Sequence, residues 1–303
     1  MAEKNSRRQI DRFFMNNCKI ANELRKYRDL AECLNQVSLS GERVRIPSDS
    51  ADYAEYFISE NLTYLDMVTA NAVYTLMVTR PNQTAFQADL IGQIMAGNLG
   101  WRVPPRMRQD LEARLQKLSK TQIYILADHD HQVEQTLYEG AFLPVRWEPS
   151  GDALQFQFLS ERRMPLYEYA EHHRQLIEVP LDRLRDNPNS PQHNNTDRML
   201  ALRHYLLQEV EILLYEHNRV NALQIRLLKE DAEGNEWGLL WVLGITGTSE
   251  TQTVKDPSAV AKRVQKSMAA LLEGWQQSGY LGPLQYQMLS AQDGFGMRIM
   301  RPE

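Results

Sequence analysis

The histidines of Asp128-His-Asp-His131 stand one residue apart at the end of an alternating segment, a spacing that can hold a divalent metal. Joined to a tyrosine nucleophile, such a site would break a phosphodiester. Tyr138, Tyr167 and Tyr169 are the candidates, and none is set apart by its neighbours. His172-His173 lies in a helical stretch with Glu168 and Glu171 and reads as surface, not as a ligand pair. Lys262, Arg263 and Lys266 offer a different chemistry. They cluster on one helical stretch with no acid between Ala259 and Leu272, so they form a side able to displace counterions from phosphates. Gln265 lies among them and Lys255 just before them. A second set, Arg106, Gln109 and Lys117, occupies another helical segment, with Arg102, Arg108 and Lys120 placed where phosphates would pass.

Other signatures are missing from the sequence. It contains no GxxxxGK[ST] loop to cradle a triphosphate and no GxGxxG after a strand. Nor does it contain a CxxC pair for zinc or a nucleophile elbow. A non-enzymatic chain with neither cofactor nor metal is therefore expected. The metal-dependent nicking reading is the weaker one, because rolling-circle nicking enzymes place an apolar residue between their histidines and Asp130 stands there in this chain.

Length and composition set the frame. At 303 residues the chain has room for two domains of ordinary size, and 43% hydrophobic with 24% charged residues describes a globular protein. Cys18 and Cys33 fall on what reads as one helix, too far apart along its axis to bridge, which points to a reducing compartment. Met1 to Arg8 is polar where a secretory signal turns apolar, and no long apolar run follows. The expectation is a cytoplasmic protein that does not enter a membrane. A net charge of −5 opposes nucleic-acid binding, but its distribution is uneven. Residues 62–120 hold seven Lys/Arg against four acids, and residues 255–266 hold four against one.

The elements that would position these residues fall into three parts. Residues 1–50 read as an N-terminal helical arm and linker, with Ile20, Leu24, Tyr27, Ala31 and Leu34 spaced at four and three, suited to docking on the body, to a dimer contact or to reaching DNA as a basic arm. Residues 51–160 read as a first domain. A helix capped by Asn61 or Thr63 carries Leu65, Val68, Ala72 and Leu76, and a short helix runs from Thr84 to Met95. Pro105 to Lys120 follows, with Met107, Leu111, Leu115 and Leu118 as its buried stripe. A strand from Thr121 to Asp128 comes next, then a hairpin from Phe142 to Leu159 around Pro149-Ser-Gly-Asp152.

Residues 161–303 read as a second domain on the same plan. It contains a helix over Pro165 to Arg174, a turn over Val179 to Leu184 and a loop over Asp186 to Thr196. A long helix follows with Leu202, Leu206, Val210 and Leu213. Between Ile225 and Ile245, glycines interrupt the pattern and leave strand and helix both open. Pro257 to Gln277 is then a helix with Val260, Val264, Met268, Leu271 and Trp275 inward, followed by a hairpin around Gln292-Asp-Gly294. A basic helix running into a β-hairpin, twice, is how a winged helix reads. The expected class is thus α+β, mainly helical, with two tandem winged-helix domains, each bearing a β-hairpin wing.

Thr136-Leu-Tyr-Glu-Gly-Ala-Phe-Leu-Pro-Val145, Pro165-Leu-Tyr-Glu-Tyr-Ala170 and Arg203-His-Tyr-Leu-Leu207 resemble segments of the replication initiators of plasmids and mobile elements in Gram-positive bacteria. More distantly, the chain is similar to iteron-binding initiators, and the likeness covers about residues 55–303. The resemblance implies tandem winged-helix domains, of which the C-terminal one reads origin repeats and the N-terminal one contacts phosphates and mediates dimerisation. It also implies double-stranded DNA, host helicase and primase proteins and a second copy of the chain as partners. A transcriptional regulator, or a protein-interaction scaffold favoured by the acidic total charge, would use the same fold.

Overall fold

A helix with no polar side has to lie inside its unit, and residues 64–79 form one. The structure, a computed structural model, describes residues 10–18, 20–22, 44–46, 54–60, 62–128, 135–185, 194–215, 220–228, 238–245 and 256–302. It is a mixed α/β architecture in two units, Met1–Asp182 and Arg183–Glu303. In chain order the first unit contains β1 (Arg12–Asn16), β2 (Val44–Ile46), β3 (Ala54–Ile58), α1 (Tyr64–Thr79), β4 (Ala85–Gln87), α2 (Ala88–Met95) and α3 (Pro105–Lys120). After these come β5 (Gln122–Asp128), β6 (Gln135–Ala141), β7 (Val145–Ser150), β8 (Ala153–Phe158), α4 (Pro165–His172) and β9 (Leu176–Pro180).

Helix α1 starts at a capping box in which Asp66 N donates to Thr63 Oγ1 at 3.2 Å and Thr63 N donates to Asp66 Oδ2 at 2.8 Å. Its polar side chains are committed to neighbours. Asn71 Oδ1 accepts from Asn16 N at 3.0 Å and from the Tyr167 hydroxyl at 2.8 Å, and Thr75 Oγ1 accepts from Phe14 N at 3.0 Å. Two residues four apart on a helix thus hold alternate amides of β1, which pairs antiparallel with β9 in the register Phe14↔Glu178. Strands β2-β3-β5-β6 form an antiparallel sheet, with Tyr56 opposite Ile125 and Ile125 opposite Tyr138. The remaining sheet has the order β4-β8-β7 and places Phe86 against Phe156, ring centroids 5.7 Å apart.

The second unit follows the 3₁₀ turn Leu181–Leu184, which spans the boundary. It contains α5 (Asp197–Leu214), β10 (Ala222–Arg226), α6 (Leu239–Val242), α7 (Pro257–Gln277), β11 (Gln285–Met288) and β12 (Gly296–Met300). Arg203 on α5 is fully buried and donates to Leu184 O at 2.6 Å, to Asn195 Oδ1 at 2.5 Å and to Asn194 O at 3.3 Å, tying the chain before the helix to its side. Asp256 caps α7 by accepting from Ala259 N at 2.9 Å, and Pro257 takes the first helical position, where no amide is needed. Sheet order is β10-β12-β11. Gly294 and Gly296 make this pairing possible, since both have positive φ and an added Cβ would lie 2.1 Å from Leu228 O and 2.0 Å from Ile225 O.

Both units therefore run helix, strand, short helix, long helix, hairpin, and in both the lone strand pairs with the second strand of the hairpin. The first unit inserts β5 and β6 between its long helix and its hairpin.

Several expectations are corrected. Twelve described strands make the architecture mixed, not mainly helical. The start of the supposed helical arm is strand β1, because α1 and β9 satisfy its backbone. Cys18 then lies just past a strand, buried, with its Sγ accepting from Ala21 N at 3.4 Å. Residues 20–22 are helical, and Cys33 with the rest of 23–43 lies outside the described residues. Residues 161–182 belong to the first unit, since α4 packs on β5 and β6 and β9 pairs with β1. Residues 85–87 are a strand, because they pair with β8, and the helix begins only at Ala88. Residues 176–180 are a strand before a 3₁₀ turn. Residues 135–141 pair antiparallel with β5 and extend its sheet. The open segment 225–245 resolves into the end of β10 and the short α6, with 229–237 outside the described residues. The loop residues 186–193 also lie outside them. Among the described residues no helix is long and apolar enough to cross a membrane.

Candidate nucleic-acid interface

Helix α7 buries Ala261, Gln265, Met268, Leu271, Leu272 and Trp275. These positions recur at three and four, so the inward stripe runs along one side of the helix and Lys262, Arg263 and Lys266 are left on the other. All three are exposed and make no ion pair with a described residue. Among the described residues nothing neutralises this cationic surface over the N-terminal half of the helix.

Gln265 does not belong with them. It is 7% exposed, and its Nε2 donates to Leu289 O and to Gly296 O, both at 2.8 Å. The side chain anchors the two ends of the turn between β11 and β12 to the helix, so its amide is unavailable to a base edge. The sequence held the signal, since Gln265 continues the series Ala261, Gln265, Met268, Leu272; its polar type masked the position. Lys255 lies outside the described residues.

Helix α3 buries Met107, Leu111, Leu115 and Leu118, the expected stripe, and Arg106, Gln109 and Lys120 are exposed, as is Arg102 before it. Three of its cations are neutralised. Arg108 makes a two-pronged bond to Asp89 of α2, Nε to Oδ1 and Nη2 to Oδ2, both at 2.7 Å, and the carboxylate holds the guanidinium above its ordinary range. Lys117 Nζ donates to Asp66 Oδ2 at 2.8 Å and Arg114 Nε to Asp66 Oδ1 at 3.2 Å. Asp66 is a buried acid on the first turn of α1, and these cations answer it. Arg108 and Lys117 are thus corrected from contacts with a ligand to contacts within the unit. Glu112 of α3 accepts from Leu154 N at 2.9 Å and ties β8 to α3. Lys120 Nζ lies 5.8 Å from the centre of the Trp147 ring on β7, beside the hairpin.

The nicking chemistry finds little support in the tyrosines. Tyr138, Tyr167 and Tyr169 are buried packing residues. Tyr138 meets His172 Nδ1 at 2.5 Å, and Tyr167 donates to Asn71. Burial, with the charge of Glu168 second, raises the pKa of Tyr138, and burial holds Tyr167 well above the usual phenol range, which disfavours the oxyanion a nucleophile needs. His129, Asp130 and His131 lie outside the described residues. Among the described residues no group of three or more His, Cys, Asp or Glu is placed to hold a metal.

No protein-family model and no curated protein sequence matches this chain. The selenomethionine crystal structure of domains 2 and 3 of RctB aligns with 86% of this chain and 89% of its own, at 12% identity and a TM-score of 0.38. At that score the likeness carries no weight for fold or activity.

Proposed function

We propose that each unit is a winged helix and that the chain binds duplex DNA, with α7 as its principal reading helix. One observation carries this reading. The two units share the order helix, strand, short helix, long helix, hairpin and the same sheet order, and in one of them the long helix exposes an acid-free cationic half. In that arrangement the third helix enters the major groove with its N-terminal half. Lys262, Arg263 and Lys266 then neutralise phosphates and approach base edges. Arg106, Gln109, Arg102 and Lys120 give the first unit a smaller contact surface.

The resemblance to plasmid and mobile-element initiators makes the target a repeated site at an origin, with host helicase and primase recruited to it and a dimer as the working form. A transcriptional regulator would use the same surface, and direct repeats beside the coding region separate the two roles. The net charge of −5 favours a second reading, a scaffold that binds proteins through the same helices. Retention on heparin and on a random duplex at low salt decides between them. The DNA reading expects retention that falls steeply with salt, by about 0.9 in log affinity per log salt for each phosphate contacted. Passage of the protein through both columns at low salt would leave the scaffold.

A further inference from the structure

The β10-β12-β11 sheet has one side against the unit and one in solvent. Ile225, Met297 and Ile299 are buried, so their neighbours in sequence point the opposite way. Gln224, Arg226 and Arg298 stand there, joined in register by Gln285 and Gln287 of β11, all exposed, with the half-buried Ala222 and Met300 at one end. In register, Gln224 is opposite Arg298 and Arg298 opposite Gln287, a row of amide, guanidinium and amide across three strands. Arg226 is opposite Gly296, which contributes no side chain, so the ground beside both arginines is open. No acid stands on this side of the three strands, and neither arginine makes an ion pair with a described residue.

The corresponding surface of the first unit is different. There Arg146 and Glu148 share one side of β7, and Gln157 joins them, accepting from Arg146 Nη2 at 2.8 Å and donating to Glu148 Oε1 at 2.6 Å. The acid closes that surface on itself.

From this we infer that the outer side of the C-terminal sheet binds the phosphate backbone of a nucleic-acid duplex. Protein interfaces are organised on buried apolar anchors, and this side offers none at its centre, whereas nucleic-acid interfaces are polar and cationic throughout. Arginine and glutamine side chains supply donors to phosphate oxygens and no competing charge. Helix α7 is bonded to the sheet from its inner side through Gln265, so the duplex on this surface is not the one that α7 reads. One chain can therefore hold two duplex segments. The bridging half of the inference rests on the proposed role of α7; the backbone contact itself does not.

The test uses the full chain, a random-sequence duplex on beads and a second, labelled duplex in solution at low salt. The unaltered protein is expected to carry the labelled duplex onto the beads. In Arg226→Glu/Arg298→Glu, capture falls at least about tenfold while affinity for a single duplex changes less than about threefold, since only two of the phosphate contacts are lost. The milder Arg226→Gln/Arg298→Gln, with unchanged melting, guards against misfolding. Reversing Lys262, Arg263 and Lys266 separates the two readings. If that variant binds a single duplex as well as the unaltered protein, the α7 assignment fails. Residual binding that vanishes on adding Arg226→Glu/Arg298→Glu sustains the sheet site. Undiminished capture by Arg226→Glu/Arg298→Glu overturns the inference; absence of capture by the unaltered protein overturns its bridging half, and residual duplex binding of the α7 reversal that Arg226→Glu/Arg298→Glu leaves unchanged overturns the backbone contact. Arginine-dependent binding of polyglutamate but not of duplex would assign the surface to an acidic protein instead.

Discussion

Helices α3 and α7 begin alike, each with proline in its first turn and an apolar stripe beneath a basic surface, yet they differ in what their cations meet. On α3 the carboxylates of Asp89 and Asp66 reach Arg108, Arg114 and Lys117 from neighbouring helices. On α7 the three cations of the N-terminal half face solvent. Basic residues on a helix are therefore not the same as basic surface. The neighbouring helix decides, and in the first unit it converts charge into cohesion.

The contrast can be broken most directly by charge reversal. Lys262→Glu/Arg263→Glu/Lys266→Glu should weaken duplex binding on the order of 100-fold at low salt and lower the salt slope by roughly two to three. The matched pair Arg108→Glu/Lys117→Glu should change binding less than about threefold while lowering the melting temperature. Equal losses of affinity in the two variants, measured by fluorescence anisotropy, would erase the distinction.

Asp66→Asn sharpens it from the acid's side. The substitution leaves Arg114 and Lys117 without their carboxylate next to a buried position and weakens the capping box, so it should cost about 2 kcal/mol. Denaturant titration reads this, and a midpoint unchanged from the unaltered protein would mean that the ion pairs contribute nothing.

Gln265 and Glu112 form a parallel pair, each joining a long helix to its hairpin. Gln265→Leu removes the donor from two carbonyls and should destabilise the second unit by ~1–2 kcal/mol, with faster amide exchange over residues 289–296. In Glu112→Gln the side-chain oxygen still accepts from Leu154 N, so stability should shift by less than about 0.5 kcal/mol. If exchange over 289–296 is unaltered in Gln265→Leu, the helix does not hold the hairpin.

A smaller effect than that of Gln265→Leu is expected from Arg108→Ala. Its bond to Asp89 is two-pronged but about a third exposed on each side, which places its contribution near 0.5–1 kcal/mol, diminishing with added salt. A loss that is independent of salt would argue for packing in place of charge.

Much of the helical framework was legible in the residues. The limits of α3 and α7, the buried stripe of α3 and the turns of both hairpins follow from proline placement, three-and-four spacing and glycines at positive φ. Less legible were the strands paired to distant partners. Ala85–Gln87 is too short to show alternation and is a strand because β8 lies beside it. Arg12–Asn16 owes its form to β9 and to Asn71 and Thr75 of α1. Gln265 was misplaced because a polar type outweighed its position in the apolar series. Arg298 was passed over because a single cation between Met297 and Ile299 is ordinary on a solvated strand, and only the register across three strands gathers it with Gln224, Gln287 and Arg226.

By itself the amino-acid sequence determined where the long helices start and stop, which side of α3 turns inward and where the chain reverses, because those are set by bonds and contacts within a few residues. Tertiary structure alone decided which strands exist at the edges, where the first unit ends and which basic residues remain free to meet a ligand. A strand requires a partner and an ion pair requires an opposite charge, and both partners arrive from parts of the chain that local spacing does not reach.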